Sequence, residues 1–509
     1  MKKKGCLILF LVICVTGMIG CQKELPGKQK VVWNVTCPAG FEMMTAEETF
    51  KNYEEKLNVI LDEKKVGYEV EIEPIAAETG KNEVDILKEK KSQGKQADVI
   101  TILGGLINTE APEQNVELYK ECAENQILSS LDELLESDAG EELKKVIPKE
   151  DLENARINGK TYGISAVFPM IDATVYSKDT LQEIGIDPKK LSADIFENEQ
   201  MFREVKEKTG FAPYQVRGTS IYTKGKYWIN SSCPVLGYRE DTGFINLLDT
   251  KEYREYMRKM WQWKQEGLLK ILGFETTNNE KCIVTDEYAM ENYRMERYEV
   301  KAENNGKEET LYVVPNIEQD NVDPYWGDNK SGIASWSKNR QYAEDFLVRL
   351  FTDEEIANLI QFGERGTDYS LDEEGKAIVK QQSNIITRYF GYQYTNPMIT
   401  YSTPTMSEDK LAYAKEYHEK YEGNLPRGFR MDVRPIAEEV KKVNQIYDAV
   451  ITSEEEKNQT LEWKLYTLNV ENTDQAIDEI VSKVDDAGMG KIVEETNRQL
   501  KEWQEKNGQ

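Results

Sequence analysis

The chain has one histidine in 509 residues, His418. That scarcity removes histidine-rich metal sites and makes any Ser-His-Asp or Cys-His centre depend on a single side chain. His418 stands in Leu-Ala-Tyr-Ala-Lys-Glu-Tyr-His-Glu-Lys-Tyr at 411–421. Helical spacing sets it beside Leu411, Ala414 and Tyr421, where a packing residue is expected rather than a catalyst. The 7 cysteines are scattered without a CxxC pair, so neither a zinc site nor a disulfide framework is indicated. Positive charge is short: 65 Lys plus Arg against 92 Asp plus Glu leave −27 at pH 7. Nucleic-acid binders need a basic stripe, so that class is excluded. Strongly anionic ligands are disfavoured at long range, although salt limits that reach to about 8 Å. A neutral ligand fits best. There is no EF-hand loop, and scattered acids do not make a calcium site. No metal and no cofactor is expected, and internal repeats and low-complexity blocks are missing.

What is present begins at the N-terminus. Lys2, Lys3 and Lys4 precede an apolar run over 6–15, and Gly20 stands before Cys21. A basic segment, a short apolar segment and a small residue before the cut make a secretory signal. The run is too short to be a spanning helix. Met18-Ile-Gly-Cys21 is similar to a bacterial lipobox, with methionine in place of the usual leucine. The similarity implies a diacylglyceryl group on Cys21, a tether over 21–30, and a protein held at the outer face of the cytoplasmic membrane. Two or more acyl chains anchor firmly where one is marginal. Removing 1–20 takes away three lysines and no acid, which moves the charge from −27 to −30. Cys37, Cys122, Cys233 and Cys282 then remain. One disulfide among them suits an oxidising compartment, and their spacing selects no pair.

At this length two to three domains of roughly 150 residues are expected. Val31-Val-Trp-Asn-Val35 has strand character, and Phe50, Tyr53, Leu57 and Ile60 build one helix face. Tyr68, Val70 and Ile72 alternate with glutamates as a half-buried strand does. The run 98–103 suits a strand buried on both faces, ended by Gly104 and Gly105. Strand and helix alternating in this way predict a parallel α/β sheet. Ser130-x-x-Glu133 and Thr352-x-x-Glu355 read as capping boxes. Asn158-Gly159 reads as a two-residue hairpin turn, and Gly306 as the turn of a second hairpin. The C-terminal part is mainly helical, with Pro435 at a helix start and a break at Gly488 and Gly490.

Several of these segments, in order, resemble the family 1 extracellular solute-binding proteins, the lipoprotein receptors of carbohydrate ABC importers. They are the opening strand Lys30-Val-Val-Trp-Asn34, Ala97-Asp-Val-Ile100, the hairpin Ile157-Asn-Gly-Lys-Thr-Tyr-Gly-Ile164, Val175-Tyr-Ser-Lys-Asp-Thr-Leu-Gln-Glu-Ile-Gly185, and Ser331-Gly-Ile-Ala-Ser-Trp-Ser-Lys-Asn339. Phe390-Gly-Tyr-Gln393, Gly428-Phe-Arg-Met-Asp432 and Arg498-Gln-Leu-Lys-Glu-Trp503 are similar to the oligosaccharide-linked lipoprotein branch. Two departures stand out. Ser165 replaces the usual proline after the hairpin, and the common "GKAAM" strand entry near 279–284 lacks its glycine and alanines.

The resemblance implies an α/β, two-lobed clamp of the type II periplasmic-binding-protein kind with a helical C-terminal part, closing on a sugar by hinge motion. Its crossings are expected near 168–172, 323–330 and 388–396. Lobe one is then 31–166 plus 331–388, and lobe two 170–325 plus 396–509. The implied partners are an oligosaccharide or other small ligand, an ABC permease and the bilayer. A pyranose presents a C–H face to an aromatic ring and a rim of hydroxyls to Asp, Asn and Arg. On that chemistry the candidate ligand residues are Trp33, Phe41, Gly104, Gly105, Asp172, Tyr222, Trp228, Trp326, Tyr392, Tyr394 and Arg430. Each has a competing structural role: core packing for the aromatics, a tight turn for the glycines, a solvated charge for Asp172 and a surface ion pair for Arg430. Two other classes remain open. One is a lipid-anchored glycosidase with paired carboxylates, for which no local signature exists. The other is an adaptor that presents ligand to a membrane sensor.

Overall fold

β-branched and aromatic runs collect into separate sheets, and the helices between them supply the covering faces. The computed structural model describes residues 28–36, 43–75, 81–102, 118–169, 171, 173–219, 227–230, 232–272, 281–285, 294–304, 307–316, 329–380, 391–420, 429–448 and 460–507. In chain order, β1 (Gln29–Thr36), β2 (Tyr68–Ile75) and β3 (Val99–Ile102) come first. The hairpin β4 (Arg156–Ile157) and β5 (Lys160–Thr161) follows, then β6 (Ala173–Ser177) and β7 (Tyr214–Val216). Next are β8 (Trp228–Asn230), β9 (Cys233–Arg239), β10 (Gly243–Asn246), β11 (Leu269–Ile271), β12 (Val284–Thr285), β13 (Tyr298–Asn304) and β14 (Lys307–Pro315). β15 (Lys330–Ile333), β16 (Tyr369–Leu371) and β17 (Ala377–Val379) close the set.

The first lobe is built on the sheet order β15-β3-β1-β2. β2, β1 and β3 run parallel, and β15 returns antiparallel beside β3. The helices Met43–Glu63 and Glu83–Ser92 make the crossovers that parallel strands require. β1 and β3 are buried on both faces, whereas β2 alternates. Trp33, Phe50, Tyr68 and Phe346 fill the core, the last on the helix Arg340–Thr352.

The second lobe carries the order β11-β7-β12-β6-β14-β13, with β10-β9-β8 as a separate sheet. Its core joins residues from Tyr176 to Val314 with C-terminal residues from Phe429 to Leu500. The helices Ala437–Asp448, Thr473–Asp486 and Met489–Asn507 bring that C-terminal share.

Local chemistry explains the turns. Asn158 and Gly159 both have positive φ, 51° and 79°, as a type I′ hairpin turn demands. β13 and β14 pair antiparallel through Asn304 and Lys307, as the second hairpin predicts. Gly363, with φ 77°, ends the helix Glu354–Phe362. Neither capping box forms. Asp353, not Thr352, caps that helix, its carboxylate accepting from Glu355 N at 3.1 Å and Ile356 N at 3.4 Å. Thr352 instead donates to the Val348 carbonyl. Ser130 accepts only from Asp132 N, and Leu131 takes the cap position. A short acidic or hydroxyl side chain caps where the backbone turns extended, and before Glu354–Phe362 that turn falls at Asp353.

One boundary also moves. Residues 396–402, expected in the second lobe, are held by the first. Asn396 donates to the Phe351 and Val146 carbonyls at 2.9 and 3.1 Å, and Tyr401 N to Asn358 at 2.8 Å. The helix Lys410–Lys420 then packs Tyr413, Ala414 and Tyr417 against Phe168 and Ile171 of the first crossing. The chain rejoins the second-lobe core by Phe429.

Among the described residues no helix is long and apolar enough to cross a membrane. No disulfide joins Cys122, Cys233 or Cys282 to one another.

Candidate ligand cleft

Strand register locates the cleft. In the first lobe Thr36 lies opposite Ile75, and Lys330 opposite Ile102. The carboxyl ends of β1, β2 and β3 and the start of β15 therefore share one edge. In the second lobe Val284 pairs with both Tyr176 and Tyr214, and Val216 with Ile271. Pro315 pairs with Ala173. The start of β6 thus lies level with the ends of β7, β11 and β14. The chain leaves the first edge after Ile164 and enters the second at Ala173; it leaves the second after Pro315 and regains the first at Lys330. The two carboxyl edges are joined by both crossings, and open α/β sheets bind ligand outside such edges.

The first-lobe edge is a sealed polar network. Trp33 Nε1 donates to Thr101 Oγ1 at 2.8 Å, and Thr101 Oγ1 lies 2.7 Å from Ser331 Oγ. Thr36 Oγ1 donates to the Thr101 carbonyl at 3.2 Å. Lys330, 1% exposed, donates its ammonium to Ser165 Oγ at 2.8 Å. Ser165 stands where the resembled family has proline, so the departure supplies an acceptor between the two crossings. Asn329 donates to the Gln393 carbonyl at 2.8 Å, and Tyr394 OH reaches the Thr36 carbonyl at 3.3 Å. The segment through 393–394 therefore meets the second crossing and the end of β1 at this edge.

The second-lobe edge is different. Past β7, Thr219 donates through N and Oγ1 to the Tyr466 carbonyl at 2.9 and 3.1 Å. A Cβ at Gly218 would sit 2.0 Å from Tyr466 Cζ, so a side chain there would force that ring to move. Trp463 and Tyr466 on the helix Leu461–Tyr466 stack with centroids 5.4 Å apart and planes at 29°.

Arg434 links the lobes. Its guanidinium is bidentate to Asp432, at 2.8 and 2.7 Å, and donates to Glu121 of the first lobe at 3.2 Å. The Asp432 carboxylate raises the guanidinium above its ordinary value. Next to the first crossing, Lys410 is 4% exposed and donates to the Thr400 carbonyl and hydroxyl and to the Tyr401 carbonyl. Burial lowers its ammonium to about 7. His418 is 9% exposed, with Nε2 3.9 Å from Asp151 Oδ1, and Asp151 Oδ2 accepts from Val167 N at 2.9 Å. That arrangement braces the crossing.

The predicted ligand residues distribute unevenly. Trp33 is 0% exposed, edge-on to Phe346 at 5.5 Å, and belongs to the core instead of the cleft wall. Tyr394 is 1% exposed and edge-on to Phe50 at 5.8 Å, so it too is a packing residue. Trp33 stands on a central parallel strand covered on both faces, which leaves its ring nowhere else to go. Arg430 is half-buried between the core residues Phe429 and Met431. Trp228 opens β8 opposite Tyr238, and Tyr392 lies in the turn Gly391–Gln393. Cys21, Phe41, Gly104, Gly105, Asp172, Tyr222 and Trp326 lie outside the described residues. Lys330, Trp463 and Tyr466 are not among the sequence candidates, and Ser165 figures there only as a departure from the family pattern. Only the aromatic pair had a signal, its i, i+3 spacing after the capping residue Thr460.

A family model described as a domain of unknown function (DUF3502) matches residues 426–505. No curated protein matches the chain. Among solved structures, the N-glycan transport solute binding protein NgtS from Streptococcus pneumoniae gives a TM-score of 0.61 at 15% identity, over 94% of this chain and 99% of that one. NgtS in complex with Man1GlcNAc gives 0.54 at 16% identity, over 94% and 99%. The chain has the two-lobed fold of extracellular solute-binding proteins.

Proposed function

We propose that this protein is a lipid-anchored, extracellular substrate-binding protein of an ABC importer. It captures a neutral oligosaccharide between its lobes and hands it to the membrane permease. The observation that carries the reading is the pair of carboxyl sheet edges joined by both crossings. Ligand touching both edges favours the closed arrangement by its differential contacts, and an importer can distinguish that state from the empty one. The excess of acids over bases, 92 against 65, favours an uncharged cargo. Acylation of Cys21 would keep the clamp at the membrane face where the permease works.

The similarity to NgtS makes Man1GlcNAc a first probe. A thermal-shift screen should raise the melting temperature with at least one oligosaccharide, since ligand at 100 times its Kd adds about 2.7 kcal/mol. Hits confined to peptides would overturn the carbohydrate assignment. Shorter sugars released during incubation would mark a glycosidase. Pull-down of the membrane partner separates importer from sensor, and the mass of the N-terminal peptide reports acylation.

A further inference from the structure

The amino end of the first-lobe sheet lies opposite the cleft. The start of β1, the turns before β2 and β3, and the residues after β15 meet there. Gln29 N donates to the Gly67 carbonyl at 3.2 Å, and Trp336 Nε1 to the Lys95 carbonyl at 2.8 Å. The side chains of Gln96 and Asn339 both donate to the Lys30 carbonyl, at 2.7 and 2.9 Å. Segments 28–30, 62–67, 91–96 and 335–340 are thereby tied into one face. They carry eight basic side chains and two acidic ones, Asp62 and Glu63, in a chain where acids exceed bases by 92 to 65. Lys28, Lys30, Lys64 and Arg340 pair with Asp62, Glu71, Asp353 and Glu344. Lys65, Lys91, Lys95 and Lys338 form no ion pair among the described residues. The helix dipole accounts for Lys91, at a helix C-terminus, but it disfavours Lys338 and Arg340 at the start of Arg340–Thr352. Trp336 is partly exposed, and the Lys91 ammonium stands 5.8 Å from its ring centroid. An indole with its N–H satisfied, set among lysines, suits the headgroup layer of a membrane.

We propose that this face lies on the anionic phospholipid headgroups of the bilayer and holds the first lobe with its cleft turned outward. The assignment rests on the lipid-anchored reading above. Cys21 stands seven residues before Lys28, and a chain of that length reaches at most about 25 Å. The anchor therefore keeps the basic face, and no other part of the first-lobe sheet, nearest the lipid. Each lysine close to an anionic surface favours contact, and acids more than about 8 Å away add little repulsion. β1 has 8 residues, so the cleft edge stands roughly 25 Å further out. Cargo then meets an open cleft, and delivery to a permease requires the face to release the lipid.

The test reconstitutes the acylated mature chain into vesicles of phosphatidylglycerol and, separately, of phosphatidylcholine. Lysines are modified with a water-soluble acetylating reagent and read by peptide mass. In phosphatidylglycerol, acetylation of Lys65, Lys91, Lys95 and Lys338 should fall about fivefold relative to phosphatidylcholine and recover in molar salt. The exposed Lys251 and Lys501 of the second lobe should not change. The variant Lys91→Glu/Lys95→Glu/Lys338→Glu should lose the protection of Lys65. Equal labelling in the two lipids, or protection of Lys65 that the variant keeps, overturns the face and leaves the anchor standing. Protection in native membranes but not in phosphatidylglycerol would mark a protein partner and overturn the lipid assignment. An N-terminal peptide without an acyl group sinks the anchor alone. The face is then decided by the unacylated chain, which should sediment with phosphatidylglycerol vesicles and not with phosphatidylcholine; no difference between the two overturns it.

Discussion

In the first lobe the groups nearest the crossings are polar and closed off: Thr36, Thr101, Ser165, Lys330 and Ser331 are all buried. In the second lobe the corresponding edge ends in Gly218 and a partly exposed aromatic pair. The first edge is a network whose members bond one another across four segments of chain, so it fixes how the crossings leave the lobe. The second edge is a surface. Residue type alone does not decide burial, since Trp33 in a central strand is wholly buried and Trp463 on a six-residue helix only partly so.

That contrast is open to direct attack. Trp33→Ala should cost about 3–5 kcal/mol of stability in urea unfolding, with the sugar affinity of the folded protein nearly unchanged. Trp463→Ala should do the reverse, and an affinity loss at Trp33 with no stability loss would erase the distinction. Lys410 tests the brace beneath the first crossing. Its folded value, about 7, lies below the unfolded value, so the folded state binds fewer protons between them. Its contribution to stability is complete above the unfolded value, falls as the pH drops toward about 7, and is flat below, with a slope of at most about 1.4 kcal/mol per pH unit. Subtracting the pH profile of Lys410→Met from that of wild type should isolate this slope, and identical profiles would refute it.

Smaller effects sharpen the comparison. Ser165→Ala removes an acceptor of a buried ammonium and should cost about 1.5–3 kcal/mol by thermal unfolding. At the second edge, Gly218→Ala should harm sugar binding in wild type and much less in Tyr466→Ala, because the clash is with that ring. A double-mutant cycle should give a coupling of about 0.5–3 kcal/mol, whereas additivity would contradict the contact. Arg434→Ala should change the ligand Kd least, by about 0.2–1 kcal/mol, with the difference vanishing in molar salt.

Much of the fold was legible in short-range pattern. The strand character of 31–35, the burial of the 98–103 run on both faces across its described residues 99–102, the alternation of 68–72 and the Asn158-Gly159 turn each depend on neighbours in sequence, and each appears as expected. What was not legible depends on distant partners. Whether 396–402 belongs to one lobe or the other is decided by the Val146, Phe351 and Asn358 groups that bind it. Gly218 looks like an ordinary loop glycine until Tyr466 is seen above it. Trp463 and Tyr466 sit in a helix too short to show a periodic stripe. Trp33 and Tyr394 were candidates because their residue type suits sugars, and composition alone cannot tell a wall from a core.

The central claim is that two lobes close on an oligosaccharide. Small-angle X-ray scattering of the mature protein, before and after saturation with a sugar identified by thermal shift, tests it most directly. A radius of gyration that contracts on saturation is the predicted result. A saturating sugar that leaves the scattering curve unchanged would contradict the account.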